Sequence, residues 1–301
     1  MPELKRVPAN GIEIAYETFG ERGNPPLVLV MGLGTQMLAW PDEFCEDLAA
    51  RGHYVVRFDN RDVGASTHFR GVRAPHVAKI VARRAAPPYT LDDMADDALG
   101  LIHALDLGPV HLVGASLGGF IAQTVAIRRP EAVRSLTLIM TSTGSRRVGQ
   151  AHPRLLRSLL TRPVVSSREE AQDAVVETFR VIGSKGFALD EERLRDLAGR
   201  SYDRAYDPGG YRRQLAAVVA QPDRSEQLRA LDLPALVMHG LHDRLVAPSG
   251  GVAVARKLRG SRFIGFSGMG HDMPRQLWPE FTHHISELVV RVETGRLAAA
   301  E

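Results

Sequence analysis

The chain has 301 residues, which suits one large α/β domain with an insertion, because single hydrophobic cores stop growing at roughly 250–300 residues. Its hydrophobic fraction of 44% and charged fraction of 24% exclude a disordered or fibrous chain, and its net charge of +3 is modest. The single cysteine, Cys45, cannot form an intrachain disulfide, and we interpret it as a buried residue of an amphipathic helix.

Two kinds of apolar segment are missing from the sequence. Residues 1–6 contain no apolar stretch of the kind found in a secretory signal. No apolar run approaches the roughly 20 residues that are needed to cross a bilayer. The sequence therefore predicts a cytoplasmic protein and leaves peripheral contact with a membrane open.

Two strand patterns occur along the chain. Alternating apolar and polar residues at 11–18 predict a half-exposed strand at an antiparallel edge. Nearly continuous apolar runs predict strands that helices cover on both faces. These buried strands are expected at 27–31, 54–58, 110–113, 135–139 and 235–238, followed by one at 262–266.

Helical patterns separate these strands. Apolar residues spaced i, i+3, i+4 and i+7 predict a helix over 90–107, with Thr90 as its N-cap and Gly108 after its C-terminus. Strands alternating with helices indicate a mostly parallel, doubly wound sheet, in which ligands bind beyond the carboxyl ends of the strands.

The alternation stops after Thr141. From 142 to 225 the sequence is helical and polar, without a strong strand, and the sheet resumes at 233–238. We therefore predict an α/β core formed by residues 1–141 and 226–301, with a helical cap at 142–225 inserted after the sixth strand.

Ser116 is the predicted nucleophile. It lies in a G-x-S-x-G pattern, with Gly114 and Gly118, between a buried strand and a helix. In that context the pattern forms a strained turn that raises the serine hydroxyl into the site. The alternative is a plain tight turn that leads into a helix.

Backbone NH groups near Ser116 are candidates for an oxyanion hole. The NH of Leu117 opens the helix, where backbone donors and a partial positive charge favour an anion. A second donor is expected from the glycine-rich loop after the strand at 27–31, and there we choose Leu33, with Gly32 next. These glycines would also serve the turn alone.

Asp243 and His271 are the predicted partners of the serine. A serine hydroxyl needs a base, and the base needs a third group that fixes its tautomer. In this type of sheet the acid precedes the histidine in the chain. Asp243 follows the strand at 235–238, and His271 lies in a glycine-flanked loop after the strand at 262–266.

Other candidates for these roles receive different interpretations. His239 and His242 precede the acid, so either one as base would break the chain order. His283 and His284 lie on a predicted helix and receive no role. The loop at 140–145, an alternative place for the acid, contains no carboxylate.

The motifs together resemble the α/β-hydrolase superfamily, and segments 29–44, 57–67 and 268–271 resemble actinobacterial lipase/esterases and aclacinomycin methylesterases. The resemblance implies a carboxylic-ester hydrolase with a helical cap that needs no metal or cofactor. Met31-Gly32 stands where many relatives carry His-Gly at the oxyanion loop. The polyketide substrate of the methylesterases is not carried over, because the cap determines the substrate.

Further residues are expected near the pocket. Gly32 and Met273 are candidates for its wall, and Trp40 either lines it or packs against the helix that follows. Asp59, Arg61 and Asp62 form a charged cluster at a strand end, which we interpret as an ion-paired turn, with an active-site role as the alternative.

Two segments without any acidic residue form a predicted basic rim at the pocket mouth. Segment 65–91 carries Arg70, Arg73, Lys79, Arg83 and Arg84, and segment 142–167 carries Arg146, Arg147, Arg154, Arg157 and Arg162 beside Leu155, Leu156, Leu159 and Leu160. We hypothesise that this rim attracts an anionic membrane surface or anionic substrates such as acyl-CoA. The alternative is a solvated basic face, and without aromatic stacking residues or a recognition motif we expect no nucleic acid.

The sequence predicts a serine esterase or lipase that acts on a small-molecule or lipid-like ester. Serine at the elbow argues against epoxide hydrolases and haloalkane dehalogenases, which use aspartate there. Thioesterase, phospholipase, perhydrolase and carbon–carbon hydrolase activities stay open because the same triad serves them. An alternative of another class is a ligand receptor that keeps the triad with little turnover.

Overall fold

A single eight-stranded sheet organises the computed structural model, which describes residues 2–82, 84–155 and 164–300. The strands are β1 Lys5–Ala9, β2 Ile12–Phe19, β3 Pro26–Val30, β4 Tyr54–Phe58, β5 Val110–Ala115, β6 Val133–Ile139, β7 Ala235–Gly240 and β8 Arg262–Phe266. Their order across the sheet is β1-β2-β4-β3-β5-β6-β7-β8. The pairs β1–β2 and β2–β4 are antiparallel and all others are parallel, as the predicted fold class requires.

Helices cover both faces of this sheet. In the described part of the chain they are α1 Asp42–Ala50, α2 Val77–Val81, α3 Leu91–Ala104, α4 Leu117–Arg128, α5 Arg168–Ile182, α6 Glu191–Arg204, α7 Pro208–Ala220, α8 Ser225–Arg229, α9 Ser249–Lys257 and α10 Trp278–Ala300, with 3-10 turns at Met37–Ala39, Pro130–Ala132 and Arg275–Leu277. In the described part of the chain, every helix is too short or too polar to cross a membrane.

Successive residues of the central strands pack on opposite faces of the sheet. Val28 and Val30 join a core with Leu101 of α3 and Ile121 of α4, whereas residues 27 and 29 join a second core that contains Phe281 of α10. Since both faces are covered, these strands are mostly apolar, and polar side chains such as Arg57 of β4 and His111 of β5 are buried and hydrogen-bonded. Cys45 of α1 is buried in the second core, as predicted.

The antiparallel edge differs from the prediction. The outermost strand is β1, and the predicted edge at 11–18 corresponds to β2, which pairs on both sides. Asn10 and Gly11, with φ of 48° and 74°, form the two-residue turn that returns the chain from β1 to β2. A turn with two positive φ angles has a backbone twist that fits the right-handed twist of the two strands it joins, and Asn-Gly is its preferred sequence.

Helix α3 begins as predicted but ends early. Thr90 forms a capping box with Asp93 at its N-terminus. The helix ends at Ala104, and the first left-handed residue after it is Asp106, with φ of 50°, rather than Gly108. An aspartate tolerates the left-handed conformation better than most non-glycine residues do. The chain can therefore leave the helix before the predicted end at residue 107.

The strand order reverses between β3 and β5. β3 pairs with β4 on one side and with β5 on the other, and Val30 lies opposite Gly114. Two loops therefore leave the sheet side by side at the carboxyl ends of these strands. Such a switch point forms the crevice in which open α/β sheets bind ligands.

Between β6 and β7 the described residues form helices α5 to α8 and no strand. Helices α5 to α7 lie within 142–225, which we keep as the proposed extent of the cap, and α8 continues from its last residue. Arg83, Arg157 and Arg162 of the predicted basic rim lie outside the described residues, as do Leu156, Leu159 and Leu160.

Candidate active site

Ser116 lies at the predicted turn between β5 and α4. Its φ of 53° and ψ of −115° are unfavourable for a residue with a side chain, and its backbone NH donates to the carbonyl oxygen of Ile139 at 2.8 Å. A Cβ on Gly118 would overlap the carbonyl of Val30, and one on Gly114 would overlap the backbone of Gly118. The pattern has glycine at both positions because neighbouring backbone occupies the space of a side chain.

The structure brings Ser116, His271 and Asp243 into one hydrogen-bonded chain. Nε2 of His271 lies 3.0 Å from Oγ of Ser116, and Nδ1 lies 2.7 Å from Oδ2 of Asp243. The other oxygen of Asp243 accepts from the backbone NH groups of Leu245 and Val246 at 2.8 and 2.9 Å. Backbone donors of its own loop therefore hold this carboxylate in place while it orients the imidazole of His271.

His239 lies beside the acid but cannot act as the base. Its Nε2 donates to the carbonyl oxygen of Val246 at 2.8 Å and lies 3.6 Å from Oδ2 of Asp243. Burial lowers its pKa, and its Nδ1 has no hydrogen-bond partner among the described residues. His242 is exposed, and its Nδ1 accepts from the NH of Gly268 at 3.0 Å. Neither ring contacts Ser116.

The two proposed oxyanion donors flank Ser116 in the switch-point crevice. Leu117 is the first residue of α4, where the leading NH groups have no intrahelical acceptor. On the β3 side, the Cβ position of Gly32 lies 3.4 Å from the Cβ of Ser116, so the backbone of this loop contacts the serine. Leu33 follows Gly32, and all three residues line the cavity that Ser116 faces.

A cap residue that the sequence does not single out supports residues 31–34, which we call the oxyanion loop after their proposed role. Gln214 of α7 is fully buried, and its Oε1 accepts from the NH of Gly34 at 2.8 Å. Its Nε2 donates to the carbonyl oxygen of Arg61 at 2.7 Å. A glutamine in a helical segment carries no sequence signal for this role.

Ser116 and His271 open onto one large cavity beneath the cap. Its volume is about 1100 Å³, and its wall combines the oxyanion loop with apolar side chains of the cap. Met273 lines it, and so do Phe120, Leu194, Leu215 and Trp278. The cavity is large enough for a bulky apolar ligand.

Trp40 is not part of this wall, in contrast to one of its two predicted roles. The side chain is fully buried in the core and stacks on Phe44 with 5.6 Å between ring centroids. The chain turns at Met37–Ala39, and Ala39 and Pro41 line the cavity on either side of the buried indole. The packing alternative is therefore the correct one.

The charged cluster after β4 is ion-paired, and two of its pairs cross to the cap. Asp59 pairs with Arg204 of α6 at 2.5 Å, and Asp62 pairs with Arg213 of α7 at 2.7 Å. Arg61 pairs with Asp97 of α3 at 2.5 Å. Burial raises the pKa values of Asp59 and Asp97, against the lowering effect of their arginine partners.

One group of potential metal ligands lies at this boundary. Asp62, His68 and Asp207 place their ligand atoms within 4.8 Å of one another. The guanidinium of Arg213 already bonds both carboxylates at 2.7 Å, so it supplies the positive charge a cation would bring. These residues do not fit a metal ion.

The basic rim is only partly at the cavity. Arg146 and Arg154 are exposed and line it, together with Arg212 and Arg275. Arg70, Arg73, Lys79 and Arg84 are exposed but are not among the lining residues, and of the described residues in segment 65–91 only His68 lines the cavity. Among the described residues, the positive charge at the cavity therefore comes from the segment after β6, from Arg193 of α6, from α7 and from the 3-10 turn before α10.

Comparisons with known proteins agree with this architecture. Rhodomycin D methylesterase DauP of a Streptomyces strain is 28% identical over 281 residues, which cover 86% of this chain and 88% of that protein. The 3-oxoadipate enol-lactonase 2 of Acinetobacter baylyi is 25% identical over 247 residues, covering 81% of this chain and 80% of that protein.

A solved structure shares the fold. A thermophilic esterase from Thermogutta terrifontis superposes with a TM-score of 0.74 at 23% identity, covering 96% of this chain and 99% of that one. The family model described as alpha/beta hydrolase fold matches residues 25–274. The predicted superfamily is confirmed, and the chain belongs to the alpha/beta hydrolase fold family.

Proposed function

We propose that this protein is a serine carboxylic-ester hydrolase that works through an acyl-enzyme on Ser116. The observation that carries the proposal is the hydrogen-bonded chain from Ser116 through His271 to Asp243, which faces a cavity of about 1100 Å³. A hydroxyl, a base and a buried orienting carboxylate in this order are the groups that acyl transfer requires. The enol-lactonase and methylesterase names of the relatives support ester hydrolysis.

In the first step, Oγ of Ser116 attacks the ester carbonyl while Nε2 of His271 takes the hydroxyl proton. The NH groups of Leu33 and Leu117 stabilise the resulting oxyanion. The intermediate then collapses, the carbon–oxygen ester bond breaks, and His271 returns the proton to the leaving alcohol. Water attacks the acyl-enzyme by the same route and releases the acid and Ser116, so the cycle needs no metal or cofactor.

The apolar cavity favours a small-molecule or lipid-like ester with a bulky apolar group. Leu194 of α6 and Leu215 of α7 contribute apolar wall from the cap, and Met273 contributes from the loop after His271. Burial of an apolar substrate group there gains roughly 25 cal/mol for each Å² removed from water. The rhodomycin substrate belongs to the relative, and the cap decides what this protein accepts.

Fluorophosphonate labelling tests the proposed nucleophile. We expect wild type to be labelled and to hydrolyse nitrophenyl esters, and Ser116→Ala to lose both properties. An unlabelled wild type would overturn the serine mechanism. A labelled wild type without turnover across an acyl-chain series would favour the ligand-receptor alternative.

A thioesterase or phospholipase activity is the second candidate, and the exposed arginines at the cavity favour it. Arg146, Arg154, Arg212 and Arg275 would face an anionic head group outside the apolar cavity. Clustered basic residues near an anionic membrane contribute about 1 kcal/mol each to binding. This arrangement supports peripheral contact with anionic membranes, and the cytoplasmic location stays a proposal from the sequence.

Two measurements separate these candidates. An acyl-CoA series run beside the nitrophenyl esters compares anionic thioesters with neutral esters of equal chain length. Liposome sedimentation with and without anionic lipid tests the membrane contact. Equal and low binding to both kinds of liposome would contradict membrane recruitment. The esterase proposal does not depend on this result.

A further inference from the structure

The loop between α5 and α6 packs directly on the loop that carries His271. We call residues 182–186 the cap loop and residues 268–272 the histidine loop. Backbone hydrogen bonds join them: the NH groups of Lys185 and Gly186 donate to the Gly268 carbonyl at 3.1 and 3.0 Å, and the NH of His271 donates to the Ile182 carbonyl at 2.8 Å. Ser184 adds side-chain bonds, since its Oγ accepts from the NH of Gly270 at 3.0 Å and donates to Oδ1 of Asp272 at 2.5 Å.

Three consecutive residues of the histidine loop are therefore held from the cap. Ser184 accepts from the residue before His271 and donates to the residue after it. The backbone NH of His271 itself binds Ile182. The peptide on either side of the imidazole thus has a fixed partner, in addition to the bond that Asp243 makes with the ring.

Glycines let the two loops approach backbone to backbone. A Cβ on Gly270 would lie 2.5 Å from the carbonyl group of Gly183, and one on Gly186 would lie 2.6 Å from the Cα of Gly268. No side chain therefore separates the cap loop from the histidine loop. A displacement of the cap loop would carry the histidine loop with it or break these bonds.

The oxyanion loop depends on the cap in a similar way. Its Gly34 NH bonds Gln214 of α7, as described above. The cap thus contacts both loops that flank Ser116, one on the side of the base and one on the side of the oxyanion donors. Small errors in such positions matter, because a displacement of about 1 Å can reduce a rate by roughly a hundredfold.

We propose that Ser184 is a positioning residue for His271. Docking of the cap loop holds the imidazole of His271 within hydrogen-bond distance of Ser116. This inference rests on the proposed serine hydrolase function. Ser184 does not touch the reacting atoms and acts through the backbone of residues 270–272. The cap accordingly has a second task beside shaping the cavity, which is to complete the catalytic geometry.

The first test compares Ser184→Ala with Ser166→Ala, using steady-state hydrolysis of a nitrophenyl ester. Ser166 is a matched control in the same cap, where its hydroxyl bonds only Glu170 at 2.9 Å. We expect Ser184→Ala to lower kcat by roughly tenfold to a hundredfold, as the loss of outer-shell partners does elsewhere, with KM within about twofold of wild type. Ser166→Ala should retain the wild-type kcat.

A second pair of variants separates positioning from folding. Ser184→Thr keeps the hydroxyl and should recover most of kcat, with thermal unfolding measured for every variant. Asp272→Ala removes the acceptor on the other side of His271 and should reproduce the loss in kcat. Because both changes break the hydrogen bond between Ser184 and Asp272, their losses should not multiply, and the kcat of the double variant should stay close to that of the more impaired single variant.

Three results would overturn the inference: unchanged kcat in Ser184→Ala, a loss that appears only in KM, or losses that multiply in the double variant. If Ser184→Ala fails to fold, Asp272→Ala and Ser184→Thr decide by the same criteria. Failure of the proposed function is recognised separately, because wild type itself would then escape fluorophosphonate labelling.

Discussion

Asp62 and Arg213 form a two-pronged ion pair that joins the core to the cap. Nε of Arg213 donates to Oδ2 at 2.8 Å and Nη2 donates to Oδ1 at 2.7 Å, with the carboxylate side chain 0% exposed and the arginine side chain 4%. Hydrogen bonding to Asp62 raises the pKa of Arg213. The pair holds α7, and with it Gln214, against the turn after β4.

Removal of Arg213 should destabilise the protein strongly. Arg213→Ala leaves the Asp62 carboxylate buried without its cation, and breaking a buried pair in this way costs about 3–5 kcal/mol. Urea unfolding measures the loss. Arg168→Ala is the control, because its pair with Asp203 is exposed and should contribute nothing measurable. Equal losses in the two variants would contradict a buried, cap-anchoring role.

The backbone at the elbow should not tolerate a methyl group at position 118. Gly118→Ala places Cβ against the carbonyl of Val30, so either the turn or β3 must shift. We expect ester hydrolysis to fall by about a hundredfold or more, given the cost of displaced reacting groups. Gly23→Ala is the matched control, since its Cβ meets nothing within 4 Å. A Gly118→Ala enzyme with wild-type kcat would refute the close approach.

Gln214 should control the oxyanion loop. Gln214→Leu leaves the Gly34 NH and the Arg61 carbonyl without their partner, and each unsatisfied buried group costs about 1–3 kcal/mol. We expect reduced stability together with a lower kcat, because the loop that carries Leu33 loses its support. The exposed Gln227→Leu serves as control in unfolding and rate assays. Loss of stability with unchanged kcat would restrict Gln214 to a structural role.

Acid should destabilise the fold through His111. This ring is 1% exposed and bonds Ser135 Oγ at 2.7 Å and Glu293 Oε1 at 3.1 Å. Burial lowers its pKa below the ordinary 6.5, despite the opposing effect of Glu293. The unfolded chain therefore binds a proton first, so the stability that His111 provides is complete above pH 6.5 and is lost as the pH falls toward the folded-state value.

Urea unfolding from pH 7 to pH 4 checks this sign. We expect the free energy of unfolding to fall with pH in wild type and to fall less steeply in His111→Gln. The same substitution at the exposed His103 should leave the slope as it is in wild type. A slope that is identical in wild type and His111→Gln would assign the acid sensitivity to other groups.

Much of the fold and the triad geometry follows from local sequence constraints. A strand covered on both faces favours apolar side chains at successive positions, so the apolar run at 27–30 predicts β3. Backbone contacts leave room only for glycine at positions 114 and 118, so these two glycines predict the turn that carries Ser116. Asp243 and His271 could be predicted because each lies on a loop at the carboxyl end of a strand.

The remaining features depend on contacts between distant segments. Ser184 and Gly270 are 86 positions apart in the chain, and Gly34 and Gln214 are 180 apart. No local sequence pattern therefore predicts either hydrogen bond. The Gly183-Ser184-Lys185-Gly186 sequence indicates a turn but not what it faces. Trp40 shows the same limit, because the direction of a side chain after a 3-10 turn is set by tertiary packing.

The contacts of the cap with both catalytic loops restrict how its substrate range can diversify. Recombination that exchanges the whole insertion would remove Ser184 and Gln214 along with the cavity wall. A functional chimera must reproduce a short glycine-flanked loop opposite His271 and a side-chain amide opposite Gly34. Variation is freest at wall positions away from these two contacts, such as Ala174 of α5, where selectivity can change without displacing the base or the proposed oxyanion donors.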